Sequence, residues 1–168
     1  MVHIKKMQII LIRHAKVLIN YNKKIKADDI NSWINIYNNS PIDKSLPDIN
    51  TLKDIKNSHY LVVSNLKRTK ESLELIDLTP NELKSLFNEI ELIDINLPIL
   101  KLQPKIWLII IRFIMIFKIK PILKAQNRAK KACDYLEKLA KKHKNIALVG
   151  HGAFNWLIFK ELKKEIGE

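Results

Sequence analysis

The sequence predicts an α/β fold with a mostly parallel central sheet flanked by helices. Short apolar runs of strand length alternate with segments whose apolar residues recur at helical spacing. Those intervening segments are long enough to cross over and bring the strands back parallel. At 168 residues with a hydrophobic fraction of 47%, the chain has the size and composition of one domain with a real core. Residues 1–168 are therefore read as a single domain.

In chain order, Met7–Ile12 is a continuous apolar run suited to a strand buried on both faces, and it ends at the polar pair Arg13-His14. Residues 28–39 predict a short helix with Trp33, Ile36 and Tyr37 on one face. Asn39–Asn50, with Pro41, Pro47 and several Asn and Asp residues, reads as loop. Tyr60–Val63 is a second strand, ending at Ser64. Leu66–Leu78 carries Leu66, Leu73 and Ile76 at about helical spacing, with Ser64 or Asn65 as its cap and Thr79-Pro80 as its stop. Ser85–Leu92 is a candidate third strand. Ile122–Lys142 is helical by pattern, Asn145–Val149 is a buried strand, and Ala153 to about Glu165 is a final amphipathic helix. Ile106–Phe117 is apolar but interrupted by Arg112. It is too short to span a bilayer, which takes about 20 apolar residues, so it is expected to pack on the domain or line a cleft, an interfacial membrane segment flanked by Lys105, Lys118 and Lys120 being the alternative.

Composition narrows the chemistry. The three glycines, Gly150, Gly152 and Gly167, are too few for a P-loop or a dinucleotide-binding loop. One cysteine, Cys133, excludes an internal disulfide and argues against a Cys-built metal site. The formal charge of +13 comes with 26 lysines against 4 arginines, a pattern of AT-rich coding rather than of nucleic-acid recognition. That same bias singles out Arg13, Arg68, Arg112 and Arg128. No targeting signal is visible, and the expected location is cytoplasmic, with no nucleic-acid or membrane partner. His3, His59 and His143 carry no pattern and read as surface residues.

Polar clusters follow each of the three best strands: Arg13-His14, Ser64 to Arg68, and His151. In open α/β sheets, ligands bind outside the carboxyl ends of the strands. Two histidines, two arginines and a serine would then meet in one crevice. None brings a negative charge, so the site suits an anion, and guanidinium forks suit a phosphoryl group in particular.

These blocks resemble the motifs of the histidine phosphatase superfamily, the phosphoglycerate-mutase-like fold. "LIRHAKVLIN" is similar to its opening block, with Arg13, His14 and Asn20 in register and Ala15 in place of the usual Gly. "SNLKRTKES" is similar to the second block through Ser64, Leu66 and Arg68, with Ser72 where the family has Thr. "ALVGHGAFN" resembles the second-histidine block, His151 being the match. "SWINIYNNSPIDKSLP" and "FNEIEL" extend the resemblance to a compact bacterial branch. The match is weakest over residues 93–127, where many members carry a Glu-Ser pair before a helical Arg; Arg128 could be that Arg, but no Glu-Ser precedes it.

The resemblance implies a three-layer phosphoglycerate-mutase-like fold and a phosphatase that needs no metal and no cofactor. His14 would attack phosphorus and form a phosphohistidine, which water then hydrolyses. Arg13, Arg68 and His151 would hold the phosphoryl oxygens, with Asn20 and Ser64 as supporting contacts. Glu89 matches the family's acid best, and Glu91 is its rival. The expected substrate is a small phosphorylated metabolite. A phosphomutase of the same chemistry and a catalytically silent phospho-ligand binding module are the alternatives. Oligomeric state is not legible.

Overall fold

The computed structural model describes residues 7–93 and 100–166. His3 lies outside them. Four strands, β1 (Gln8–Arg13), β3 (Tyr60–Val63), β4 (Glu82–Leu83) and β6 (Asn145–Gly150), form one sheet in the order β1-β6-β3-β4. Every pairing in it is parallel. A separate antiparallel pair, β2 (Ile25–Lys26) with β5 (Lys101–Leu102), was not expected from the sequence.

Strand alternation divides the core. Ile146 and Leu148 of β6 face one side, where they pack with Ala129, Ala132, Cys133 and Leu136 of α5 (Ile119–His143) and Phe154 and Ile158 of α6 (Gly152–Ile166). Ala147 and Val149 face the other side, with Ile55 of α2 (Ile49–Lys56) and Leu73 of α3 (Lys67–Glu74). The result is three layers, helices on both faces of the sheet. A third cluster lies apart from the sheet. There Trp33 of α1 (Ile30–Asn39) meets Trp107, Ile111 and Met115 of α4 (Pro104–Phe117), and Trp107 donates its indole N–H to the carbonyl of Ile25 at 2.8 Å.

Several sequence expectations are corrected. β1 is an edge strand, half-buried rather than buried on both faces, because only β6 pairs with it. The Asn39–Asn50 loop ends sooner than expected: Asp48 caps α2, its carboxylate accepting from the N–H groups of Asn50 and Thr51 at 3.0 Å. Ile36 is on the outside of α1, away from Trp33. α3 begins after Leu66, with no side-chain cap, and stops before Thr79-Pro80. Its end is a left-handed residue, Asp77 at φ 56°, with the Leu78 N–H reaching back to the Leu73 carbonyl at 3.0 Å.

Ser85–Leu92 is not a strand. β4 lasts two residues, Ser85–Phe87 makes one 3-10 turn, and Phe87 drops into the core against α5. α5 starts three residues earlier than its pattern suggested. Pro121 sits in its first turn, where a missing N–H costs nothing.

The α4 run packs on the domain through Trp107, Ile111 and Met115, and it also lines a cleft. Among the described residues no helix is long and apolar enough to cross a membrane. His59 and His143 meet at the domain edge, His59 Nδ1 lying 2.9 Å from the His143 carbonyl.

Because Trp107 fastens α4 to the domain, Trp107→Ala should lower unfolding free energy by about 3–5 kcal/mol. Ile109→Ala, on the opposite face of the same helix, should stay within about 0.5 kcal/mol of wild type. Urea denaturation of the two variants checks the assigned packing; equal losses would contradict it.

Candidate active site

Parallel register assembles the site. Arg13 is paired with Gly150, and Val63 with Val149. The chain stays in step one residue further: the His14 N–H donates to the Gly150 carbonyl at 3.1 Å, and the Ser64 N–H to the Val149 carbonyl at 3.2 Å. Arg13-His14, Ser64 and His151 therefore leave the sheet side by side. Gly150 allows the close approach that follows. A Cβ there would stand 2.5 Å from Asn155 Oδ1, and Asn155 Nδ2 in turn donates to the Ile12 carbonyl at 3.0 Å, tying α6 to the end of β1.

His14 is buried and held at both nitrogens. The Arg68 Nε–H lies 3.1 Å from His14 Nε2, and His14 Nδ1 lies 2.6 Å from the Ala15 carbonyl. A guanidinium can only donate and a carbonyl can only accept, so the contacts assign the proton to Nδ1 and a lone pair to Nε2. Burial, Arg68 and Arg13 push the imidazole down to about 4, against the Ala15 hydrogen bond that favours its charged form. At neutral pH His14 is an uncharged base with its lone pair at Nε2.

Arg68 is nearly fully buried, and among the described residues it has no carboxylate partner. Its contacts are His14 Nε2, Asn38 Oδ1 at 2.6 Å, and the face of Tyr37, 5.1 Å from the ring centroid. A second serine braces this corner: Ser72 Oγ donates to the Arg68 carbonyl at 2.6 Å and accepts the Ala15 N–H at 2.8 Å. Arg13 makes no hydrogen bond or ion pair among the described residues and stands against Gly152 at the start of α6.

His151 is fully buried beside His14, with ring centroids 5.2 Å apart. Its Nε2 lies 2.7 Å from Ser64 Oγ. Thr69 spends its single hydroxyl proton on the carbonyls of Leu66 and Ser64, so Ser64 keeps its own to give. Ser64 Oγ lies 2.7 Å from His151 Nε2 and 3.1 Å from Thr69 Oγ1, so it bridges the two side chains. Among the described residues His151 Nδ1 is buried with no hydrogen-bond partner. Burial and the nearby arginines hold this imidazole far below its ordinary range, so it too is neutral.

The carboxylate follows from the missing strand. Arg128 Nη2 donates to the carbonyls of Asn88 and Glu89 at 3.0 and 3.2 Å, and its guanidinium lies over the Phe154 ring. So clamped, Glu89 turns to the start of α6, where its Oε1 accepts the N–H groups of Phe154 at 3.2 Å and Ile90 at 3.0 Å. Glu91 is exposed and paired with Lys124 at 2.8 Å, which holds its carboxyl below the usual range.

Arg13, His14, Arg68 and Glu89 line one cleft of about 900 Å³ with Tyr37 and Arg112. Glu91 lines it too, while the buried Ser64 and His151 are not part of its lining. Asn20 does not join them: it is exposed, and its Oδ1 accepts the Asn22 N–H at 2.9 Å. Among the described residues no three His, Cys, Asp or Glu side chains gather as a metal site. Asn38, absent from the sequence reading, is a direct partner of Arg68. Nothing in the Asn-rich stretch around it marks it out. Tyr37, read as packing, does pack on Trp33 but also carries Arg68 on its face.

No family model matches the chain, and no curated protein sequence matches it. Among solved structures it is similar to that of the open reading frame Rv3214 from Mycobacterium tuberculosis. The identity is 14% and the TM-score 0.48, over 89% of this chain and 76% of that one.

The depressed His14 value has a consequence for stability. Between pH 6.5 and about 4 the unfolded chain takes up a proton at this residue that the native state refuses. Folding stability should therefore fall as pH drops through that window, and His14→Ala should flatten the fall. Urea midpoints at pH 7, 6 and 5 test this; parallel curves for the two proteins would refute it.

Proposed function

We propose that the protein is a phosphomonoesterase that hydrolyses a small phosphate ester through a phosphohistidine on His14, without a metal. The observation that carries this reading is Arg68. A guanidinium buried without a carboxylate is costly unless an anion completes it. Here it stands beside the lone pair of a neutral histidine and near a second arginine. An anion drawn between Arg13 and Arg68 would present its central atom to His14 Nε2.

In the first step the Arg68 Nε–H passes from His14 Nε2 to a phosphoryl oxygen, the freed Nε2 lone pair attacks phosphorus and the P–O bond to the alcohol breaks. The departing oxygen takes a proton from Glu89. In the second step water attacks the phosphohistidine, gives its proton to the Glu89 carboxylate, and the P–N bond breaks to restore the lone pair on His14. The Nδ1–H bond to the Ala15 carbonyl aims the ring and offsets the positive charge that the imidazole gains on phosphorylation. Arg13 and Arg68 stabilise charge on the phosphoryl oxygens, while His151, outside the cleft lining, backs the His14 ring. Glu89 is favoured over Glu91 because Glu91 is exposed and engaged by Lys124, whereas Glu89 lines both the cleft and the adjoining pocket beside Arg13. Glu89 Oε1 is tied to the helix start, leaving Oε2 to carry the proton. The resemblance of the three blocks to the histidine phosphatases points the same way.

Incubation with ³²P-labelled substrate and a rapid alkaline quench should trap an acid-labile, base-stable adduct on the wild-type protein and none on His14→Ala. An adduct surviving in His14→Ala would remove His14 from the nucleophile's role. No adduct and no turnover on wild type, with phosphate esters still binding, would favour the silent binding module; phosphoryl transfer to a second alcohol in preference to water would favour a mutase.

A general acid matters most for poor leaving groups. Glu89→Gln should lower turnover of an alkyl phosphate by ~10²–10⁴-fold and that of p-nitrophenyl phosphate far less, where phosphoenzyme formation limits the rate. Glu91→Gln should affect both substrates weakly and alike. Steady-state rates with a burst measurement separate the cases, and leaving-group dependence at Glu91 would reverse the assignment.

A further inference from the structure

The outer face of α4 is apolar although its inner face is already buried. Trp107, Ile111 and Met115 point into the domain. Ile106, Ile109, Phe113 and Phe117 recur every three or four residues on the opposite face, where Ile109 is 66% exposed, Phe113 60% and Phe117 72%. Scattered apolar residues on a surface need no explanation, but a stripe along three turns of one helix does. It continues sideways. Arg112 of α4 and Trp156 of α6 border the same apolar pocket of about 520 Å³, and Trp156 and Phe159 are themselves about half exposed.

Along the segment that carries the stripe the charge is of one sign, although Glu89 and Glu91 line the cleft beside it. From Lys101 to Cys133 the chain has nine Lys and Arg residues and no Asp or Glu. Lys124 and Arg128 are engaged by Glu91 and by the Asn88–Glu89 backbone. Lys105, Arg112, Lys118 and Lys120 are exposed, and among the described residues none of the four is in an ion pair. Lys160 adds a cation 4.0 Å from the centre of the Trp156 ring.

This charge selects the occupant. A second copy of the chain, in a two-fold contact, would set the same cations against one another. A nucleic acid would satisfy the lysines and leave the aliphatic and aromatic stripe in water. An anionic bilayer satisfies both, since apolar side chains enter the acyl boundary while lysines meet lipid phosphates. We propose that the outer face of α4, with Trp156 beside it, docks on an anionic phospholipid surface. α4 lies in the plane of the headgroups, Ile109, Phe113 and Phe117 enter the acyl boundary, and Lys105, Lys118 and Lys120 reach the phosphates.

This departs from the sequence expectation of no membrane partner, which rested on the run being too short to span and on the cost of Arg112 in hydrocarbon, and takes up the interfacial alternative. Lying in the interface requires no spanning length, and Arg112 falls at the edge of the stripe. Because Ile109 and Arg112 also line the cleft, docking brings the cleft mouth to the bilayer. The proposal concerns a surface and stands independently of the phosphatase reading.

Trp156 provides a readout in the unmodified protein, since Trp33 and Trp107 are buried. Tryptophan emission should shift to the blue on titration with phosphatidylcholine–phosphatidylserine vesicles at physiological salt, and vesicle sedimentation should show binding that weakens as salt rises. Phosphatidylcholine alone should bind much less. Phe113→Ser with Phe117→Ser should lower the partition constant at least about tenfold. Lys118→Gln with Lys120→Gln should lower it by roughly fivefold per lysine. All four positions are exposed, so both variants should keep the wild-type urea midpoint. Failure of the wild-type protein to bind anionic vesicles would overturn the proposal. So would unchanged binding of the double Phe variant, which would mean adsorption by net charge alone. A wild-type dimer that the double Phe variant converts to monomer would overturn it too, assigning the face to a second copy.

Discussion

The parallel pairing of β6 between β1 and β3 is the constraint on which the rest depends. Because β6 is in register with both neighbours, the three chain exits come out side by side. A one-residue slip of any strand would turn its apolar set to the wrong face and swing its exit residue away from the cleft. Ile146 and Leu148 would leave the α5–α6 layer, and Ala147 and Val149 the α2–α3 layer. Burial on both faces of β6 thus fixes the register, and the register places His14, Ser64 and His151. Core packing and site geometry are the same constraint seen from two ends.

The site works against stability. Two imidazoles are buried neutral, and one guanidinium is buried beside them with no carboxylate paired to it among the described residues. Each costs desolvation, and the protein offsets it with neutral partners: Asn38 and the Tyr37 ring for Arg68, the Ala15 carbonyl for His14, Ser64 for His151. Neutral partners satisfy hydrogen bonds without cancelling charge. The carboxylate that opposes this guanidinium is Glu89, whose charge acts on Arg68 from the same cleft lining.

α4 divides its residues between two tasks. Its buried face completes the cluster around Trp33 and Trp107, which lies outside the sheet layers and walls the cleft. Its outer face carries Phe113 and Phe117, whose rings meet edge-on at 5.0 Å and add nothing to the core. A helix apolar all round is usually buried all round. Here half of it is not, and for that reason the outer face calls for an occupant while the inner one does not.

The amino-acid sequence by itself determined the layers. The runs around Ile9, Val62 and Leu148 can be little else than strands of a buried sheet, and their polar ends marked Arg13, His14, Ser64, Arg68 and His151, because strand ends are local features. The end of α2 at Asp48 was legible in principle as an N-cap, but Pro and Asn around it masked the signal. What the tertiary structure alone decided is non-local. Ser85–Leu92 has the residues of a strand, yet Phe87 gains more by entering the core against α5 than by extending β4. Arg128, forty positions away, then pins Asn88 and Glu89 over the cleft. That clamp distinguishes Glu89 from Glu91, which the alternation of a strand would have left on one face. Asn20 matches its motif in register and still lies outside the cleft, whereas Asn38 matches nothing and holds Arg68. Spacing along a chain reports local geometry; which side chains meet across α1, α3 and α6 depends on how the layers pack, and no single segment encodes that.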